Sequence, residues 1–497
     1  MKKWLLTRKK IMSRWNARPI RWLLFLVFNP LVAQETIVHI HPAAAEVTVT
    51  IAPQAHVDYG FSYPLTFILN LSSPQSGLSA WYRYRQGDPW MRLPEKQSGV
   101  FFNGIAAVRF DEAAATALVS AGFSAVSDSL MLRITSATEE AVPVTCSGIS
   151  PYYDNRAMAV ALSADDMAGW SKDKFQRALY ILRSYNLWVS CGINSVGADR
   201  ATYTYIQAEL DSGWVEAACH SRSHPSLPYK NYVAEVSGNR EDILKNLQLP
   251  ELFTSGSREY VYLWIAPNGR TDRIVDSLLT VNRFLFDRLY TSNFFGWPAW
   301  NATLQMFTNA GVARAFDPPA SQLGWGIGTN DLNDLNGAFD KALVGHSVYH
   351  LMFHPNVVEW DKPYPWQHLA HISNRPDVWY AAVGHLFLYH LAQSACHIEA
   401  AVTAEAATAP AEYILSQNYP NPFNPETTIS YETATAGAVT LTVYNSRGQL
   451  VARLIDGPQT AGSHRVVWHA GSHPAGIYFC QLRWEGGMAT SKMVLVH

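Results

Sequence analysis

Along residues 46–142 apolar side chains recur at every second position in short runs: VTVTI, LTFILNLS, SAWYRYRQ, GVFFNGIAAVRF and SLMLRITS, broken by turn residues such as GDP. Period-two alternation with frequent turn signals predicts half-buried strands, and several in succession predict an all-β sandwich. Such a module braces a neighbouring domain or binds carbohydrate. From residue 143 to 396 the period changes. Strand-like runs (AMAVAL, LWVSC, VEAACH, EYVYLWIAP, VYHLMFH) alternate with helical spacing, as at Phe175, Leu179 and Leu182 behind Ser171, at Ile243, Leu244 and Leu247, and at Ile274, Leu278 and Val281. This alternation predicts a parallel α/β architecture, barrel or open sheet, with function at the carboxyl ends of its strands. Residues 397–412, rich in Ala and Thr, read as a linker. Residues 413–497 return to period two (VTLTVYN, HRVVWHA, IYFCQLRW) between the turns NSRG, DGPQTAG and HPAG, and predict a small β-sandwich.

A chain of 497 residues exceeds what one core supports, which fits this division. Charge is nearly balanced, 38 basic against 40 acidic residues, so nothing marks a nucleic-acid partner. The 17 Trp and 24 Tyr suit core packing in β-rich domains, and secondarily stacking on sugar rings. Residues 1–33 look like an export signal: a basic stretch precedes the apolar run Trp22 to Phe28. That run is too short for a stable transmembrane segment, which needs about 20 apolar residues. Cleavage fits after Ala33, or within Ala43 to Ala45. Five scattered cysteines (Cys146, Cys191, Cys219, Cys396, Cys480) do not form a disulfide framework and are expected mostly as buried thiols, with Cys191 and Cys219 the one pair that could bridge.

Three polar sites fall at predicted strand ends of the middle domain: Asp165 and Asp166 after AMAVAL, His220 and His224 in HSRSH, and His354 after VYHLMF. Each alone is ordinary, since adjacent acids cap helices and lone histidines sit in cores. In a strand–helix repeat, however, all strand ends meet on one rim. One carboxylate and two imidazoles make three ligands for a divalent metal ion such as zinc, with a position left for water. The second acid could then take a proton from that water while a histidine across the rim protonates a leaving group. This division of labour suits hydrolysis of an amide or ester. A glycosidase using Asp165 and Asp166 as its acid pair fits poorly, because adjacent residues do not straddle a bond at the about 5 to 10 Å such enzymes use.

AVALSADDM, HSRSH, a strand end with Pro and Gly, and LMFH together resemble the polysaccharide deacetylase family, carbohydrate esterase family four, over roughly residues 156–393. The resemblance implies a distorted (β/α) barrel, flanked here by an N-terminal all-β module and a C-terminal immunoglobulin-like β-sandwich. It implies Asp165 as general base, Asp166, His220 and His224 as ligands of a divalent metal, most simply Zn, and His354 as general acid. Pro267, Asn268 and Gly269 match the third motif and would bind substrate, the Asn268 amide serving the oxyanion. The Arg that this motif usually carries is replaced by Ile265, which raises the alternative of a weakened or inactive carbohydrate-binding protein. For the fourth motif, an Asp with a Trp, GWPAW around Trp297 and Trp300 is a candidate. The implied substrate is an N- or O-acetylated polysaccharide.

The tail, with ILSQNYPNPFNPETTISY, VYNSRGQLVARL, AGSHRVVWHA, GIYFCQL and KMVLV, resembles the C-terminal sorting domain of proteins exported by type IX secretion. That implies passage through the periplasm, contact with outer-membrane secretion machinery, and release or attachment at the cell surface.

Overall fold

The computed structural model describes residues 43–52, 59, 63–96, 104–124, 127–255, 258–401, 413–418, 420–460, 462–471, 473–485 and 487–496. The expected export signal, 1–33, lies outside them. Two compact units emerge: one holds Ala157–Ala395, the other takes the described residues of Val38–Arg156 and Cys396–His497.

In the first unit, parallel strands and helices alternate. The strands are β1 (Met158–Met167), β2 (Val189–Ile193), β3 (Val215–Cys219), β4 (Leu263–Ile265), β5 (Phe286–Arg288), β6 (Met306–Ala310), β7 (Arg314–Pro319) and β8 (Val348–Phe353). Helices include α1 (Lys172–Ser184), α2 (Arg200–Asp211), α3 (Tyr232–Asn246) and α4 (Arg273–Val281), then α5 (Leu332–Val344), α6 (Pro363–Ile372) and α7 (Val383–Ala395). Burial of β2, β3 and β8 at every position is what a parallel strand covered on both faces requires. Pairing runs β5–β4–β3–β2–β1–β8. The ring closes through Met306–Pro319, whose first half, β6, pairs with β5 and whose second half, β7, pairs with β8. The seventh stave of the barrel is thus one stretch of chain shared between two neighbours, a departure from a regular barrel.

Helix starts follow local chemistry. Asp199 caps α2 by accepting the Thr202 N–H at 2.8 Å, and Asp272 caps α4 through the Ile274 and Val275 amides. The expected inner face of α4 is corrected: Val275 and Leu279 are buried, whereas Ile274 and Val281 are exposed. RIVDSLLTV offers apolar residues on two overlapping stripes, and packing selects the one that sequence spacing did not.

In the second unit, two antiparallel sheets follow the predicted alternation. Glu46–Ile51 buries every second residue, and Val47, Val49, Phe67, Leu69, Leu132 and Ile134 are fully buried. Two boundaries differ from expectation. Val144–Ile149 pairs with Leu65–Leu71, so this sheet runs past residue 142. Cys396–Ala401, expected as the end of the barrel and the start of a linker, pairs antiparallel with Glu46–Ile51. Edge pairing uses backbone groups alone, which an Ala-rich composition does not hide or reveal. Residues 402–412 lie outside the described residues. Toward the C-terminus, a three-stranded and a four-stranded antiparallel sheet bury Ile429, Tyr431, Leu441, Val443, Trp468 and Leu482 in one cluster, a β-sandwich. All five cysteines are free, and four are buried. Among the described residues no helix is long and apolar enough to cross a membrane.

A candidate metal and acid–base site on the barrel rim

The carboxyl ends of β1, β3 and β8 bring together the five Asp and His residues expected from sequence, and those of β5 and β7 add Arg288 and Asp317. Asp166 leaves β1 with a positive φ of 67°, and the Ser171 hydroxyl donates to its carbonyl, which turns its side chain away from the strand's alternation. Its Oδ1 lies 3.5 Å from His220 Nε2 and 3.7 Å from His224 Nε2. His220 Nδ1–H donates to the Ile265 carbonyl at 2.8 Å, which turns Nε2 toward Asp166; that atom is buried and without a hydrogen-bond partner. Four ligands at 2.0–2.1 Å around a tetrahedral zinc stand about 3.4 Å apart, close to these separations. Asp166, His220 and His224 therefore fit a divalent ion, and their ligand atoms all lie within 4.8 Å of one another.

Asp165 sits beside this trio and is held by a different partner. Its Oδ1 is bound by the buried Arg288 guanidinium, and its Oδ2 lies 3.9 Å from both His220 Nε2 and His354 Nε2. Burial pushes its carboxyl up, but Arg288, His220 and His354 outweigh this and hold it well below the usual carboxylate range. Asp166 is likewise lowered, burial being outweighed by the three imidazoles. On the opposite side, His354 Nδ1–H donates to Asp317 Oδ2 at 2.7 Å while its backbone N–H donates to Asp317 Oδ1 at 2.7 Å. Burial opposes a charge on His354, yet Asp317, Asp165 and Asp166 raise it to about 9. Its Nε2 stands 3.9 Å from Asp165 Oδ2 and from Asp166 Oδ2.

Sequence reasoning missed Arg288 and Asp317. The guanidinium absent at Ile265 is present in space, because β4 and β5 pair with Ile265 opposite Arg288. Its signal was a charged pair inside the apolar run FLFDRLY; that of Asp317 was an acid ending ARAF. The GWPAW candidate is corrected: Trp297 stacks on His390 and Trp300 packs on Phe307, while the indole that meets His354, edge-on at 5.2 Å, is Trp325. Pro267, Asn268 and Gly269 form one tight turn with φ of 54° at Asn268 and 63° at Gly269. A Cβ at Gly269 would stand 2.0 Å from that of Tyr290. The turn joins the cluster through Ile265, whose carbonyl holds His220 two residues before Pro267. Its Gly269 N–H is spent on the Ala266 carbonyl at 2.9 Å.

Residues 417–496 match the family described as the secretion system C-terminal sorting domain, which indicates export to the cell surface or beyond. No curated protein matches the chain in sequence. Solved structures similar to it include a family 4 acetyl xylan esterase from Clostridium thermocellum in complex with a cobalt ion, at 14% identity over 46% of this chain and 90% of that one, TM-score 0.30. Another is a family 4 pseudoenzyme from Bacillus anthracis, at 11% identity over 47% and 66%, TM-score 0.30. A third is the family 4 domain of a multidomain xylanase from the hindgut metagenome of Trinervitermes trinervoides, at 14% identity over 46% and 89%, TM-score 0.29.

Proposed function

We propose that this chain is an exported, metal-dependent deacetylase that hydrolyses acetyl amides or esters on a polysaccharide. The observation that carries the reading is the split of the neighbouring acids: Asp166 lies nearest His220 and His224, whereas Asp165 is the one held by Arg288, with His354 Nε2 3.9 Å from both. Asp166, His220 and His224 would hold a divalent ion, most simply zinc, which when bound supplies a Lewis acid for the acetyl carbonyl and acidifies a water. Asp165, unprotonated at neutral pH, accepts the proton of the attacking water as its oxygen bonds to the acetyl carbon. His354 then gives its Nε2 proton to the sugar nitrogen or oxygen as the C–N or C–O bond breaks, leaving acetate and the free amine or hydroxyl. Asp317 keeps the imidazole in the orientation and charge state this needs. The Asn268 amide is the candidate donor to the oxyanion, and Pro267 and Gly269 shape the turn that presents it. The contact of Arg288 with Asp165 supports this reading over that of an inactive sugar-binding protein, which Ile265 in place of Arg suggests.

Acetate release from acetylated chitin oligomers, peptidoglycan and xylan by zinc-loaded protein tests the reading. Release is expected from at least one, and His220→Ala is expected to lose both bound zinc and turnover. A folded, zinc-loaded sample that binds these glycans and frees no acetate would replace the deacetylase with a binding protein.

A further inference from the structure

The two candidate imidazole ligands hang on a backbone that does not hold itself. Between them, Ser221 has a φ of 60°, and His224 itself has 55°, conformations crowded for any residue with a Cβ. Within the turn, the Ser221 hydroxyl accepts the His224 N–H at 2.9 Å. The rest of the support comes from outside. The His220 peptide is gripped from two sides: Asn239 Oδ1 accepts its N–H at 3.1 Å, and the Asn194 carboxamide donates to its carbonyl and, at 3.2 Å, to that of Ser221. Asn239 is fully buried on α3, and its amide donates to the Ile193 carbonyl at 3.0 Å and to Ser195 Oγ at 3.1 Å, which ties the end of β2 to the start of the His220 turn. Three residues further along the same helix face, Asp242 accepts two bonds from Arg222, at 2.8 and 3.1 Å, and one from Ser195 at 2.7 Å. A Cβ at Gly192 would meet that of His220 at 3.0 Å, so the imidazole is backed by a surface with no slack.

We propose that Asn239 is a positioning residue for the metal site: by accepting the His220 N–H while its amide is anchored to Ile193 and Ser195, it fixes the start of the His220 to His224 turn in its ligating shape and touches no ligand atom. The idea rests on the metal-binding reading above. An ion gains affinity when its ligands are already in place, and supports behind metal-binding histidines are worth about 10- to 100-fold in affinity. Asn194, gripping the same peptide from the other side, should act in the same direction.

The test is zinc affinity, measured by competition with a chromophoric chelator on the full chain, for the wild type, His220→Ala, Asn239→Ala and Asn194→Ala, each checked for a cooperative thermal transition. The wild type is expected to bind one zinc and His220→Ala none, which establishes the site independently of the clamp. Asn239→Ala should then bind zinc about 10- to 100-fold more weakly, and zinc should raise its melting temperature less than it raises that of the wild type. If Asn239→Ala does not fold, Asn194→Ala carries the same prediction. Wild-type affinity, within twofold, in whichever variants fold would overturn the proposal, since a side chain that merely stabilises the barrel lowers melting without changing zinc affinity. A wild type that binds no zinc would instead remove the metal site, and with it the clamp's purpose.

Discussion

Two buried acids of the same barrel make an instructive pair. Asp165, at the carboxyl end of β1, and Glu216, near the amino end of β3, are 4% and 1% exposed, so both have lost nearly all contact with water. Their environments push them in opposite directions. Asp165 has Arg288 and two imidazoles around it and is held low. Glu216 has neutral donors alone, the Ser190 hydroxyl and the Gly384 N–H at 2.8 Å, while its Oε1 has no hydrogen-bond partner, and burial pushes it up to about 7. The fit is close enough that a Cβ at Gly384 would stand 1.8 Å from Oε1. Burial makes an acid sensitive to its neighbours, and cationic neighbours make it a base that stays unprotonated at neutral pH. A third acid, Asp287, precedes Arg288 in sequence but projects from the other face of β5; burial and Asp276 raise it to about 8 despite that cation. Adjacency in sequence does not decide the outcome; the face of the strand does.

The sharpest way to break this contrast is Arg288→Leu, which leaves Asp165 buried without its main cation. Removing one partner of a buried pair typically costs about 3–5 kcal/mol, so a large loss in urea-unfolding stability is expected, together with loss of most acetate release. Retained activity would mean that Arg288 does not support the base. Glu216→Gln probes the other side. Because the folded-state pKa of Glu216, about 7, exceeds its ordinary 4.5, its contribution favours folding below pH 4.5 and is lost as the pH rises to 7. The slope is at most about 1.4 kcal/mol per pH unit. The variant should lose that slope and be more stable than wild type at pH 8 by up to about 3 kcal/mol, with little difference at pH 4; urea midpoints at both values check this. Asp165 has the opposite sign, with stability present above its ordinary pKa and lost as the pH falls. Asp317→Asn makes the smallest change. It removes the leading support for protonated His354, so the alkaline limb of the turnover profile should move down from about 9 toward 6.5, and an unmoved limb would exclude His354 as the acid.

Much of this arrangement was legible beforehand, for identifiable reasons. The Asp165–Asp166 pair, His220 and His354 each follow an apolar run, with His224 four residues beyond His220, and parallel strands of one barrel must deliver such ends to one rim. Arg288 and Asp317 also end strand-like runs, but no spacing rule links them to their partners: their contacts depend on the register between strands about 20 residues apart in sequence, or more. The buried face of α4 was ambiguous because its apolar residues form two stripes, and only the sheet beneath chooses between them. Residues 397–401 read as linker from composition, which says nothing about whether an edge strand finds partners.

The pairing of Ile265 with Arg288 bears on how such barrels should be recognised. Neighbouring strands are like the two rails of a ladder, and a guanidinium mounted on either rail at the same rung can reach the same carboxylate. A search that demands the cation at the position of Ile265 would overlook Arg288, and one that asks which rung is occupied would find it.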